Sequence, residues 1–145
     1  MRLKNGLIVL TLLLSASSCI KNQDNYANIP YVAVSEYLYL NNPSYSNLNA
    51  IGGSVYVNGG NKGIIVTKTS IDQFSAYERT CTYSSGESCA KVKIDSINPN
   101  SFHCACCTSI FGAFAGEVQN GPALLPLLQY ATSYNASLNV LTISN

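Results

Sequence analysis

Cysteine is the residue type with the greatest chemical potential in this chain. Five of its six cysteines fall between positions 81 and 107, namely Cys81, Cys89, Cys104, Cys106 and Cys107. Clustered thiols either pair as disulfides or bind soft metal ions and iron–sulfur clusters. Because five is an odd number, and because the neighbours Cys106 and Cys107 cannot easily bridge each other, disulfides leave at least one thiol without a partner. The cluster therefore predicts disulfide-stapled loops, the default in an exported protein, or a metal site.

Other reactive groups are scarce. The 145 residues include one histidine, His103, and only 10% charged residues, against about 25% in an ordinary globular chain. From Cys19 onward six Lys and Arg face seven Asp and Glu, so no basic field exists to bind a nucleic-acid backbone. The sequence offers no Ser–His–Asp spacing and no glycine-rich phosphate loop. A carrier or binding module is therefore expected in preference to a catalyst, for which a thiol–disulfide exchanger at Cys104 and Cys107 is the alternative.

The first 18 residues predict a signal peptide. Arg2 and Lys4 precede an apolar run that is too short to span a bilayer, and small residues lead to Cys19. This end of the signal resembles a bacterial lipobox, in which the cysteine becomes the lipidated first residue. The resemblance implies a lipid-anchored protein of the bacterial cell envelope, outside the cytoplasm, and the alternative is an ordinary signal peptide. The polar, Asn-rich residues 19–29 are expected to tether the lipid to a domain at 30–145.

The pattern of the domain predicts an all-β fold. Alternating or β-branched runs indicate strands at 31–40, 54–57, 63–68, 74–78 and 138–143. Asn58 to Lys62, with two central glycines, is typical of a hairpin turn. Residues 41–49 are expected to be a loop. Only residues 123–130 could turn helically, and Pro122 and Pro126 limit that.

The cysteine segments resemble the two cluster-binding loops of Rieske-type [2Fe–2S] domains. The first loop, 79–83, reads Arg-Thr-Cys-Thr-Tyr, and the second, 102–111, reads Phe-His-Cys-Ala-Cys-Cys-Thr-Ser-Ile-Phe. The Gly-Pro-Ala segment at 121–123 then matches a third loop of the family. The resemblance covers about residues 50–144 and places the cluster-binding loops at about 79–117. It implies a Rieske-like antiparallel β-sandwich with a small two-loop cluster-binding subdomain.

The resemblance also implies roles for individual residues. Cys81 and Cys104 occupy the positions of the two cysteine ligands. Cys89 and Cys106 occupy those of a disulfide that bridges the loops, and Ser109 matches a hydroxyl that donates to a cluster sulfide.

Both histidine ligands of the family are replaced. Tyr83 stands where the first imidazole belongs, Cys107 stands where the second belongs, and His103 lies at neither position. Thr108 replaces a glycine, and Phe111 lacks the hydroxyl found there in some members. Cys107 could supply a thiolate, whereas Tyr83 offers only a phenol, which is a weak ligand because it must first lose a proton.

Three states of this site remain open on the sequence. The first is an atypical [2Fe–2S] cluster on Cys81, Cys104 and Cys107 with Tyr83 as a weak fourth ligand. The second is a degenerate site without a cofactor, in which two of these thiols form another disulfide. The third is a tetrahedral zinc ion held by the three cysteines, with His103 as an optional fourth ligand. The predicted function is accordingly iron–sulfur electron transfer with a protein redox partner, or else a cluster-free binding or structural role in the envelope.

Overall fold

Ten antiparallel strands make up nearly all regular structure in the computed structural model, which describes Tyr26 and residues 28–145. The all-β prediction is confirmed. The predicted signal peptide 1–18, Cys19 and most of the predicted tether lie outside the described residues. Within the described residues, no helix has the length and apolar character needed to cross a bilayer.

The larger sheet has six strands in the order β1-β10-β9-β4-β3-β2. Every neighbouring pair is antiparallel. The strands are β1 (Ser35–Tyr39), β2 (Ser54–Val57), β3 (Ile64–Ser70), β4 (Gln73–Glu78), β9 (Gln129–Asn135) and β10 (Val140–Ser144).

The smaller sheet has four short strands in the order β5-β6-β7-β8. Their bounds are β5 (Val92–Ile94), β6 (Ser101–Cys104), β7 (Ile110–Gly112) and β8 (Val118–Asn120). In sequence, this sheet lies between the first cysteine loop and the Gly-Pro-Ala segment. Its strand β6 ends at Cys104, so the sheet supports the second loop of the predicted site.

Two hydrophobic cores meet at β3 and β4. Ile64, Val66 and Ala76 point to one side, where they pack with residues of β1, β2, β9 and β10; we call this the basal core. Ile65 and Tyr77 point to the other side, where they pack with Val92, Phe102, Phe111 and other buried residues of the smaller sheet and its loops; we call this the loop core. Both faces of β3 and β4 are therefore buried, which explains the unbroken apolar run in β3.

Three predicted segments differ from the structure. Strand β1 begins at Ser35, because Tyr31 and Val32 are exposed and precede the pairing with β10. Residues 43–49 form a 3-10 helix (Pro43–Asn49), not a loop, and the side chain of Asn42 caps it by accepting from the Ser44 amide at 3.0 Å.

No helix forms at residues 123–130. The Ala123 amide donates to the Ser109 hydroxyl at 2.9 Å, and the Leu128 carbonyl accepts from the Glu78 amide at 2.8 Å. These backbone groups bond to other segments, so the chain runs extended into β9. At the other end of the domain, Ile29 is already buried, although it falls in the predicted tether.

Candidate metal centre

Three thiols from two loops converge beside the loop core. The sulfur atoms of Cys81, Cys104 and Cys107 all lie within 4.8 Å of one another. The Sγ atoms of Cys81 and Cys107 are 3.9 Å apart. Cys81 and Cys104 are buried, and Cys107 is half-buried. The fold thus gathers three soft donor atoms from two segments that lie more than twenty positions apart in sequence.

Strand pairing sets the position of each loop. Cys81 follows β4, and its amide donates to the Ala90 carbonyl at 3.1 Å, which closes the first loop. Cys104 ends β6, and its amide donates to the Ser109 carbonyl at 3.0 Å, which closes the tight turn that carries Cys107. The two loops therefore reach the site as hydrogen-bonded units.

A disulfide between Cys89 and Cys106 joins the two loops, with the Cα atoms 5.2 Å apart. The cross-link spans 17 residues. A loop of that length lowers the entropy of the unfolded chain enough to contribute about 3 kcal/mol to stability. The remaining thiols of the cluster are held together whether or not they bind an ion.

The Gly-Pro-Ala segment supports the second loop from outside. The Ser109 hydroxyl lies 3.2 Å from the Cys107 sulfur and accepts from the Ala123 amide. The Thr108 hydroxyl donates to the Gly121 carbonyl at 3.1 Å. Ser109 therefore connects Cys107 to the third loop, and its side chain touches a thiol.

Cys81 and Cys107 differ in acidity. Burial raises the pKa of Cys81 to about 12, and the neighbouring Cys104 adds to this shift. Burial acts in the same direction on Cys107, but hydrogen bonds from Ser109 and the other two thiols outweigh it and lower its pKa. In the absence of a metal, the Cys107 thiol therefore ionises more readily than the Cys81 thiol.

A lysine that sequence reasoning missed holds the first loop. The ammonium of Lys62, in the β2–β3 turn, donates to the carbonyls of Ser85 at 2.9 Å, Ala90 at 3.2 Å and Glu87. Three carbonyl oxygens converge on one cation and so order the segment between Cys81 and Cys89.

A buried carboxylate holds the β2–β3 turn in place. Glu78 is fully buried, and its oxygens accept from the amides of Asn61 at 2.7 Å and Lys62 at 2.9 Å. The Thr80 hydroxyl donates to it at 2.8 Å and the Tyr130 hydroxyl at 2.7 Å. Glu78 at the end of a buried strand is the signal that could have revealed this network, because a buried charge must be hydrogen-bonded.

Of the two other residues considered as ligands, Tyr83 is exposed and His103 lies apart from the sulfur atoms. The Tyr83 side chain is 55% exposed, whereas Cys81 and Cys104 are buried. Within the described part of the chain, the group of potential ligand atoms consists of the three cysteines and excludes His103. His103 lies in β6, opposite Lys93 and Ile110 in the flanking strands.

Comparison with known proteins identifies the type of fold. No protein-family model and no curated protein sequence matches the chain. Among solved structures, it resembles the plasma-membrane Rieske protein PetC3 of the cyanobacterium Synechocystis PCC 6803, with 28% identity and a TM-score of 0.54 over 70% of this chain and 95% of that one. A chain from the complex of reduced oxygenase and oxidised ferredoxin in carbazole 1,9a-dioxygenase has 19% identity and a TM-score of 0.50, over 74% and 92% of the two chains.

The fold and these similarities define a Rieske-like domain. This conclusion agrees with the two-sheet topology and with the placement of the cysteine loops beside the smaller sheet. At the predicted site, the chain gathers three cysteines.

Proposed function

We propose that this protein is an electron carrier of the bacterial cell envelope, in which Cys81, Cys104 and Cys107 hold an iron centre. The observation that supports the proposal is the convergence of the three sulfur atoms within 4.8 Å on a Rieske-like scaffold. Iron bound by thiolates supplies one-electron redox chemistry when present. The [2Fe–2S] form that the resemblance implies would need Tyr83 to complete the ligand set.

The surroundings of the thiols suit a metal centre. The Cys106 amide donates to the Cys104 sulfur at 3.4 Å, and a backbone hydrogen bond from Tyr83 lowers the pKa of Cys81 against the larger effect of burial. Ser109 contacts Cys107. The two backbone donors, at Cys106 and Tyr83, stabilise thiolates at Cys104 and Cys81 and orient them, which tunes a bound metal.

The proposal places the protein at a membrane. Residues 1–18 would direct export, and Cys19 would carry the lipid, as the lipobox resemblance implies. Each buried methylene of an acyl chain contributes about 0.8 kcal/mol to membrane attachment, and two or more chains give stable anchoring. An electron carrier at this position requires a protein redox partner that docks near the loops.

Two measurements test these parts separately. The full chain, expressed in a bacterium and purified anaerobically, is expected to contain iron and to show visible absorbance that dithionite bleaches and an oxidant restores. Cys104→Ser should lose both iron and colour, and a colourless wild-type protein without iron would contradict the electron-transfer role. Cys19→Ala should move the protein from the membrane fraction to the soluble fraction; unchanged fractionation would contradict the lipid anchor.

A cluster-free domain with a binding or structural role is the second candidate. The observation that favours it is the 3.9 Å separation of the Cys81 and Cys107 sulfurs. Two thiols at such a short distance can oxidise to a disulfide outside the cytoplasm. Mass spectrometry of the exported protein distinguishes the two. A Cys81–Cys107 disulfide without iron supports this candidate, and free thiols with bound iron support the first.

A further inference from the structure

The spacing of the three sulfur atoms matches the corners of one coordination tetrahedron. With metal–sulfur bonds of about 2.3 Å, two thiolates on the same tetrahedral ion stand about 3.8 Å apart. Cys81 and Cys107 are 3.9 Å apart, and no sulfur pair among the three exceeds 4.8 Å. Small side-chain rotations therefore bring all three sulfurs onto one ion.

A two-iron cluster needs a different arrangement of ligands. Its terminal ligands come in two pairs, one pair on each iron, and the pairs are separated by the width of the iron–sulfide core. The family resemblance assigns Cys81 and Cys104 to one iron and positions 83 and 107 to the other. The Cys107 sulfur instead approaches Cys81 to the distance of a shared ion, and the Tyr83 side chain is 55% exposed. The second iron would keep one protein ligand, so the donor set does not fit the cluster of the family.

We infer that Cys81, Cys104 and Cys107 form a mononuclear site for a single thiophilic divalent ion, Fe²⁺ or Zn²⁺, with the fourth coordination position open to an external ligand. This inference rests on the proposed function in one respect, namely that these thiolates bind metal. It differs from a zinc site completed by His103, because that residue lies outside the group of converging atoms.

The fourth position is available to small molecules. Among the residues that the structure describes, no His, Asp or Glu joins the three sulfurs. Cys107 is half-buried, so the site reaches solvent on its side, whereas Cys81 and Cys104 are enclosed. Sites with three protein ligands hold water or another exchangeable ligand in the fourth position.

The site is organised before an ion arrives. The Cys89–Cys106 disulfide fixes one loop against the other, and Ser109 links Cys107 to the Ala123 amide. An entering divalent ion displaces the thiol protons and replaces three sulfur–sulfur contacts with three metal–sulfur bonds, without an electron change. Neither loop has to refold for this exchange.

Reconstitution with iron tests the number of ions. The full-length protein, with its three thiols reduced, is incubated anaerobically with Fe²⁺ and sulfide and desalted, alongside a Rieske-type ferredoxin under identical conditions. We expect one iron per chain and no acid-labile sulfide, whereas the ferredoxin should regain two of each. Two irons with two sulfides in this protein would overturn the inference and leave the electron-transfer proposal standing. Absence of bound metal would overturn both.

Titration with Co²⁺ alone tests the coordination sphere. Thiolate-to-cobalt charge-transfer and d–d absorbance should saturate at one Co²⁺ per chain, and Cys107→Ser should weaken binding at least tenfold. Tyr83→Phe is the matched control and should leave the spectrum unchanged, whereas azide should shift the d–d bands by occupying the fourth position. Saturation at two Co²⁺, a changed spectrum in Tyr83→Phe, or no response to azide would contradict the open three-cysteine site.

Discussion

Replacement of Lys62 by methionine removes the cation that orders the first cysteine loop and keeps a side chain of similar length. The ammonium donates to the carbonyls of Ser85, Glu87 and Ala90. Methionine cannot donate, so three carbonyl oxygens lose their common partner.

The expected loss of stability follows from what each carbonyl can regain. A hydrogen bond to a charged group contributes about 1.5–3 kcal/mol. The Ala90 carbonyl keeps the amide of Cys81 as a donor at 3.1 Å, and the Ser85 and Glu87 carbonyls are near enough to the surface for water to replace the lysine. The net loss for Lys62→Met should therefore be about 1–3 kcal/mol, less than three such bonds summed.

Chemical denaturation and limited proteolysis measure the effect. A Glu-specific protease is the appropriate probe, because the Glu87 carbonyl is both its cleavage point and an acceptor for Lys62. Cleavage should be faster in Lys62→Met, and Zn²⁺ should bind about tenfold more weakly, which corresponds to about 1.4 kcal/mol of loop ordering. Lys93→Met, at an exposed position in β5, is the control and should change stability by less than about 0.5 kcal/mol. If the two variants unfold and are cleaved alike, the lysine does not order the loop.

Three further predictions concern acidity and the buried network. In the reduced, metal-free protein at pH 7, Cys107 should be alkylated before Cys81, because burial raises the pKa of Cys81 to about 12 and so depletes its thiolate, whereas the pKa of Cys107 lies below the ordinary 9.0. Equal rates in peptide mass mapping would refute the assignment. Glu78→Gln should lower the free energy of unfolding by about 2–4 kcal/mol in denaturant titrations, because the side-chain NH₂ group of glutamine replaces a carboxylate oxygen that accepts from buried donors. A change within experimental error would mean that the network does not stabilise the fold. Burial and Glu78 raise the pKa of Tyr130 above 10.0, so the folded protein retains a proton that the unfolded chain loses. The contribution of Tyr130 to stability should therefore be constant below pH 10 and fall above it. Tyr130→Phe should remove that component of the alkaline loss, and identical pH profiles for the two proteins would count against it.

Strands β1 to β4 and β10 were predictable because their side chains alternate or run apolar over four or more residues, whereas β9, at seven residues one of the longest strands, was missed. Strand β2 was predicted with its observed bounds, and the glycines between β2 and β3 marked the turn. Strands β5 to β8 have three or four residues each, which is too short to establish a period of two, and their pairing depends on the loops around them. The 3-10 helix at 43–49 was missed since it consists of polar residues that also suit a loop.

Cysteine spacing and the family resemblance predicted that Cys81, Cys104 and Cys107 share one site, and the structure brings the three thiols together. The supporting residues could not be predicted from spacing. Lys62 lies more than twenty positions before the carbonyls that it binds, and only the fold brings them into contact. The exposed position of Tyr83 depends on the path of the long first loop, which sequence patterns do not specify.

Strands β3 and β4 contribute residues to both cores and separate the basal core from the cysteine site. Ile64 and Val66 pack in the basal core and Ile65 and Tyr77 pack in the loop core, so the loops rest on side chains that the basal core does not contain. Local opening of the small sheet can occur while the larger sheet stays folded, and hydrogen exchange should divide the amides along this boundary. Such a division gives the residues at the tip a support of their own, on which a different set of metal ligands can be built.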